Sequence, residues 1–327
     1  MSVTSEEHKT NTVKYTVALK GLETPSGAIT FSALRGIVDI LSEGSERALR
    51  LALEGASIKQ GKPPAWLTQS TDFVLKGLKK GSTVLEIEAP TLGSVAEEQI
   101  RQTDLWNNVP LPEETAITLL TRSVNDAEQE DLDSEKYDRG VLETLLGFKR
   151  LLDGKDLRIE LHSEQRKSDR FTLDKLSYKK IEKIRRETPE PQAVLLTGFL
   201  NMIEHSQRRF QLTLEDGKMV RGRIIESLIN LEEIRNLWGK KVTVKGILQY
   251  APSKKPSFLE AEVITPKQIG DEIFNTIPIA FQVHDVLVQA QKSVFSQNIV
   301  SEIWGKWPGD ESIDELLQDL KSTIAEK

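Results

Sequence analysis

Residues 208–225 have the sequence R-R-F-Q-L-T-L-E-D-G-K-M-V-R-G-R-I-I. Apolar and polar residues alternate on both sides of Glu215-Asp216-Gly217, a combination that predicts two β-strands joined by a tight turn. In the first strand the alternation places Phe210, Leu212 and Leu214 on one face and the polar residues on the other. This pair of strands decides which fold the second half of the chain adopts.

Three further strands are predicted around this pair, at residues 193–201, 241–250 and 257–264, with a helix at 228–238. Gly198, Gly222 and Gly246 lie inside strands, where glycine permits the sharp bends that closing a small barrel needs. Five strands with one helix after the third, within residues 193–266, resemble an oligonucleotide/oligosaccharide-binding (OB-like) barrel. The resemblance implies a ligand face on the second and third strands. An SH3-like barrel is the alternative.

The residues before the barrel have a different pattern. A strand at 13–19, a long helix at 32–54 and a hairpin at 72–89 come first, and further helices and short strands follow up to 173. That order predicts an antiparallel sheet covered by helices, and the chain is therefore α+β. We predict a disordered tail at 1–11, an α+β domain at 12–190 with an acidic loop at 126–135 and a basic helix at 174–186, the barrel at 193–266, and C-terminal helices with an amphipathic tail at 267–327.

Composition limits the chemistry. The chain has 44 basic and 50 acidic residues, a formal net charge of −6 and no cysteine, so disulfides, thiol catalysis and zinc–cysteine sites are excluded. Its four histidines are not at metal-ligand spacing, and phosphate-loop and nucleophile-elbow motifs are absent. We therefore expect no metal, no cofactor and no enzymatic activity; a carboxylate site, for example at Glu86 and Glu88, is the alternative. With no signal peptide and no membrane span, a cytoplasmic location is expected.

Candidate binding residues lie on the barrel. Alternation places Arg209, Arg221 and Arg223 outward on the second and third strands, where they could receive phosphate. Lys254 and Lys255 lie in the loop between the fourth and fifth strands. The arginine face carries no outward aromatic residue for stacking bases, so a solvated or partner-contacting face is the alternative.

A second basic surface is predicted on the helix at 174–186. Lys175, Lys179, Lys183 and Arg186 recur at helical spacing and form one stripe. The stripe could neutralise phosphates, or it could receive the acidic loop at 126–135 of the same chain.

Residues 304–320 have the sequence W-G-K-W-P-G-D-E-S-I-D-E-L-L-Q-D-L. Ser312 and Glu315 form a capping box, and an apolar stripe follows at Ile313, Leu316, Leu317 and Leu320. A helix this short is marginal alone, so we expect it to dock, with Trp304 and Trp307 as anchors, on another protein, a second copy or its own chain. Within it, W-P-G-D-E-S-I-D-E-L-L at residues 307–317 resembles the ends of small bacterial antitoxin-like proteins that are paired with toxin nucleases.

These patterns favour a non-enzymatic binding or adaptor protein that acts through protein–protein contacts, as the regulatory or antitoxin-like half of a bacterial two-protein system. The alternative is a nucleic-acid-binding module that uses the arginine face and the basic helix.

Overall fold

The computed structural model describes residues 11–22, 24–25, 28–59, 61–79, 83–101, 109–152, 157–204, 208–225 and 234–280. The fold is α+β, as predicted: an antiparallel five-stranded sheet with helices is followed by a closed five-stranded barrel. The strands are β1 Thr12–Lys20, β2 Val74–Lys79, β3 Thr83–Pro90, β4 Arg158–His162, β5 Arg170–Leu173, β6 Gln192–Glu204, β7 Arg209–Thr213, β8 Met219–Ile224, β9 Lys241–Tyr250 and β10 Pro256–Pro266. The helices are α1 Phe31–Glu54, α2 Ala65–Ser70, α3 Leu92–Val95, α4 Glu97–Arg101, α5 Ala116–Glu128, α6 Arg139–Leu146, α7 Lys149–Leu152 and α8 Lys175–Glu187, and a 3₁₀ turn spans Asp271–Phe274.

The sheet has the strand order β2-β3-β1-β4-β5, and every neighbouring pair is antiparallel. Alternate residues of β1, which are Val13, Tyr15, Val17 and Leu19, are buried in one hydrophobic core with α1, α5 and α6. The opposite face of the sheet carries Glu86 and Glu88, which are less buried than Leu85 and Ile87 between and beside them. One face of the sheet is therefore apolar and covered, and the other is polar, as the alternation predicts.

Helix α1 runs unbroken through Gly44 and Ser45, where the sequence allows a kink. Thr30 caps its N-terminus by accepting a hydrogen bond from the Ala33 amide, and Gly55 ends it in a left-handed conformation with φ 83°. Gly44 lets α5 pack closely, because a Cβ there would lie 3.0 Å from a methyl group of Leu120. The C-terminal end of α1 is thereby held at a defined place, which the functional site uses.

The barrel has the strand order β10-β8-β7-β6-β9 and closes through a parallel β8–β10 pair, an arrangement consistent with an OB-like barrel. Phe210, Leu212 and Val220 fill its interior, in agreement with the predicted alternation. The strand glycines mark close backbone approaches, since a Cβ on Gly246 would lie 2.1 Å from the Glu260 carbonyl oxygen.

Residues 11–280 belong to one compact unit that holds two separate hydrophobic cores, one in the sheet and helices and one in the barrel. The helix predicted at 228–238 falls largely, and the tail predicted at 304–320 entirely, outside the described residues. Within the described part of the chain, every helix is too short or too polar to cross a bilayer.

Candidate functional site

The C-terminal end of α1 is packed against the barrel. A Cβ on Gly55 would lie 2.2 Å from the Phe258 ring of β10, so only glycine fits at this contact. Beside it, the Arg223 guanidinium of β8 donates to Glu54 of α1 and to Glu260 of β10, each at 2.9 Å. The contact fixes how the barrel is oriented on the helices.

A cleft of about 400 Å³ lies next to this contact, between the barrel and the α+β part of the chain. Its barrel wall carries Arg209, Arg221 and Lys255, and its opposite wall carries Asp133 and Glu135. Aromatic rings complete the lining, those of Tyr137, Tyr250 and Phe258. The volume is in the range that holds a small ligand or part of a polymer.

The acidic wall of the cleft belongs to the loop predicted at 126–135, which we call the acidic segment. Asp133 pairs with Lys255 at 2.6 Å, and Glu135 lies 3.6 Å from Arg221. The Ser253 amide donates to the Leu132 carbonyl oxygen at 3.2 Å. Hydrogen bonds from Lys255 and then Ser253 hold the pKa of Asp133 below its ordinary value. The segment is therefore held to the loop between β9 and β10 by an ion pair and by a backbone hydrogen bond.

The other end of the acidic segment contacts the basic helix, α8. Glu130 pairs with Lys183 at 2.8 Å and Glu128 with Lys180 at 3.3 Å. The hydrogen bond from Lys183 lowers the pKa of Glu130, and the same bond raises the pKa of Lys183. Of the two alternatives for this helix, the contact with the chain's own acidic loop is present.

The predicted basic stripe lies on the surface of α8. Lys175, Lys179, Lys183 and Arg186 are all exposed on one side of α8. Leu176, which the pattern assigns to the apolar side, is instead 67% exposed, and Ile181 and Ile184 make the contact with the core. The basic stripe is therefore present on α8, and carboxylates of the acidic segment lie beside it.

The predicted arginine face is only partly accessible in the structure. Arg209 and Arg223 do point outward from the barrel, but they are only 4% and 8% exposed because the α+β part of the chain covers them. The Arg223 guanidinium is held between two carboxylates, and Arg223 is therefore a structural residue and not a phosphate-binding residue. Arg221 is half-buried at the mouth of the cleft, and Lys254 and Lys255 are exposed.

An aromatic surface that the sequence reasoning missed lies on the same side of the barrel. Phe199 of β6 is 40% exposed and pairs in register with Thr213 of β7, and the Lys241 ammonium lies 5.0 Å from the centre of its ring. Trp238 is 67% exposed, and its indole N–H donates to the Asn201 carbonyl oxygen at 2.9 Å. The signal available was the alternation of β6, which places Phe199 outward once Leu196 and Leu200 are assigned inward.

These side chains continue into the cleft. Strand register gives three successive rows, which we call the outer strip: Phe199, Thr213 and Met219; then Gln211 and Arg221; then Arg209 and Arg223. Rows two residues apart on a strand are about 7 Å apart. The strip is therefore aromatic and exposed at one end, and cationic and partly covered at the other.

Two acidic residues of the first domain, Asp169 and Glu114, are buried and paired. Tyr15 donates to Asp169 at 2.8 Å, and Thr118 donates to the same carboxylate at 2.6 Å. Burial is the main cause that raises the pKa of Tyr15. Glu114 is fully buried and paired with Arg122. Within the described ranges, no group of three His, Asp or Glu side chains is arranged to hold a metal ion.

No known protein-family model matches this sequence, and no curated protein is significantly similar to it. The fold and the site thus carry the functional argument alone. The predicted anchors Trp304 and Trp307 and the stripe of Ile313, Leu316, Leu317 and Leu320 lie outside the described residues.

Proposed function

We propose that the chain is a non-enzymatic binding protein whose barrel binds single-stranded nucleic acid along the outer strip. The observation that supports this most directly is the pair of exposed aromatic side chains, Phe199 and Trp238, beside cationic residues on the outer surface of a closed barrel. Exposed rings on such a surface are the platforms on which unpaired bases stack.

Charge supports the same proposal. Residues 192–266 contain eleven basic and eight acidic residues, a net charge of +3 in a chain whose total is −6. Lys241 lies beside the Phe199 ring, and Arg221 lies in the next row of the same surface, next to the cleft. A strand with its bases at the aromatic end would carry its phosphates toward Arg221, because that is the direction in which basic side chains continue.

The test is a binding titration of a fluorescent single-stranded oligonucleotide with the wild type and with Phe199→Ala/Trp238→Ala. Stacking contributes about 1–3 kcal/mol per base, so loss of both rings is expected to weaken binding at least about thirtyfold. Leu195→Ala is the matched control, since Leu195 is also exposed on β6 but lies four residues from Phe199, about 13 Å along the strand, where it pairs with Lys245 of β9. Equal affinity of the double variant and the control would reject the proposal.

A protein partner is the second candidate function. Ile269, Ile273 and Ile279 are largely exposed in the segment that follows the barrel, and a surface rich in exposed apolar side chains is typical of protein contacts. The antitoxin-like resemblance of residues 304–320 supports a toxin nuclease as that partner. Removing residues 308–327 should weaken co-purification with the nuclease partner while the unfolding transition stays unchanged. Equal co-purification by the truncated chain would contradict this candidate.

A further inference from the structure

We infer that the acidic segment is an in-chain competitor of the nucleic acid: Glu135 pairs with Arg221 of the outer strip and Asp133 with the neighbouring Lys255 of the cleft, and these pairs restrain nucleic-acid binding. This inference rests on the proposed function of the barrel and adds a means of regulating it. It is carried by the placement of the segment between two basic surfaces of the same chain.

The acidic residues of the segment contact the two basic surfaces one after the other. Along the segment, Glu128 and Glu130 face α8, and Asp133 and Glu135 face the barrel. The intervening turn is tied down at its base, since Lys136 pairs with Asp126 at 3.0 Å. The segment thus presents a short row of negative charges to cations that a phosphate backbone would otherwise contact.

The ion pairs at the barrel are poorly suited to stabilising the fold. In the pairs of Lys255 with Asp133 and Arg221 with Glu135, all four side chains are at least 40% exposed. Exposed pairs of this kind contribute little to folding and are weakened by salt. They lie, however, at the mouth of the cleft into which the outer strip leads, where their carboxylates compete with phosphate for Arg221.

Displacement by nucleic acid needs no change of fold. A strand that enters from the aromatic end brings phosphates to Arg221 and Lys255, and these exchange one set of negative partners for another. Because the exchanged pairs are solvent-exposed, their loss costs little, and binding is expected in the wild type but at reduced affinity.

The experiment measures oligonucleotide binding by fluorescence anisotropy for Asp133→Asn/Glu135→Gln over a range of salt concentrations. The variant should bind about fivefold more tightly than the wild type, since two exposed competing pairs are removed. Its plot of log affinity against log salt should be steeper by about 1, because more phosphates are neutralised by the protein. Asp39→Asn/Glu43→Gln is the control: it makes the same change in net charge on the exposed face of α1 and should leave affinity near that of the wild type.

The outcomes separate this inference from the proposed function. If the ring variant loses binding and Asp133→Asn/Glu135→Gln gains none over the control, the inference is wrong and the proposed function stands. If the ring variant binds normally while the acid variant gains affinity, the aromatic platform is wrong and the competitor stands. Adding Arg221→Ala/Lys255→Ala to the acid variant should remove its gain, and a gain that persists overturns the inference. If neither the wild type nor any variant binds, both proposals are overturned.

Discussion

Replacing Arg223 with methionine tests the contact that orients the barrel on the helices. The Arg223 side chain is 10% exposed, and its partners Glu54 and Glu260 are 17% and 23% exposed. Methionine keeps the apolar stem and removes the charge, so two largely buried carboxylates lose a shared cation. Breaking a fully buried pair costs about 3–5 kcal/mol, whereas exposed pairs contribute about 0–1 kcal/mol.

The partial exposure of both carboxylates, and Lys59 at 3.8 Å from Glu54, place the expected loss between these limits, at about 2–3 kcal/mol. The measurement is the free energy of unfolding from urea denaturation followed by circular dichroism. Lys245→Met is the control, because Lys245 is 61% exposed and forms a surface pair with Glu262. Its cost should stay below about 0.5 kcal/mol. Equal values for the two variants would refute a structural role for Arg223.

Two further predictions concern the barrel and the acidic segment. Gly246→Ala should destabilise the protein by at least about 2 kcal/mol in the same urea assay, because its Cβ would overlap the Glu260 carbonyl, whereas Gly77→Ala in β2, with nothing within 4 Å, should be nearly neutral. A small effect at Gly246 would contradict the close approach of β9 and β10. Because its pairing with Lys255 depresses the pKa of Asp133, the small stabilisation from this exposed pair should be present above the ordinary aspartate pKa, about 3.9, and be lost as the pH falls through the lower folded-state pKa. Urea denaturation of the wild type and Asp133→Asn across pH 3–7 should show a difference that is constant above about pH 5 and shrinks in acid; a constant difference throughout would argue against the ion pair.

The fold was largely predictable because its signals are local. Alternation in residues 208–225 places Phe210 and Leu212 inward whatever lies elsewhere in the chain, since successive side chains of a strand point to opposite faces. The same holds for Val13 to Leu19 in the sheet. The outward direction of Arg209, Arg221 and Arg223 was predictable for the same reason.

What covers those arginines was decided only by the tertiary structure. Glu54, the partner of Arg223, is 169 positions away in the sequence, and neither residue carries a local mark of the other. The contact of the acidic segment with both α8 and the loop after β9 likewise depends on how the barrel is oriented on α1. The sequence by itself determined which face of each strand and helix is apolar, because periodicity is a property of the local backbone. Tertiary structure decided which exposed charges meet, because those contacts depend on the packing of segments far apart in the chain.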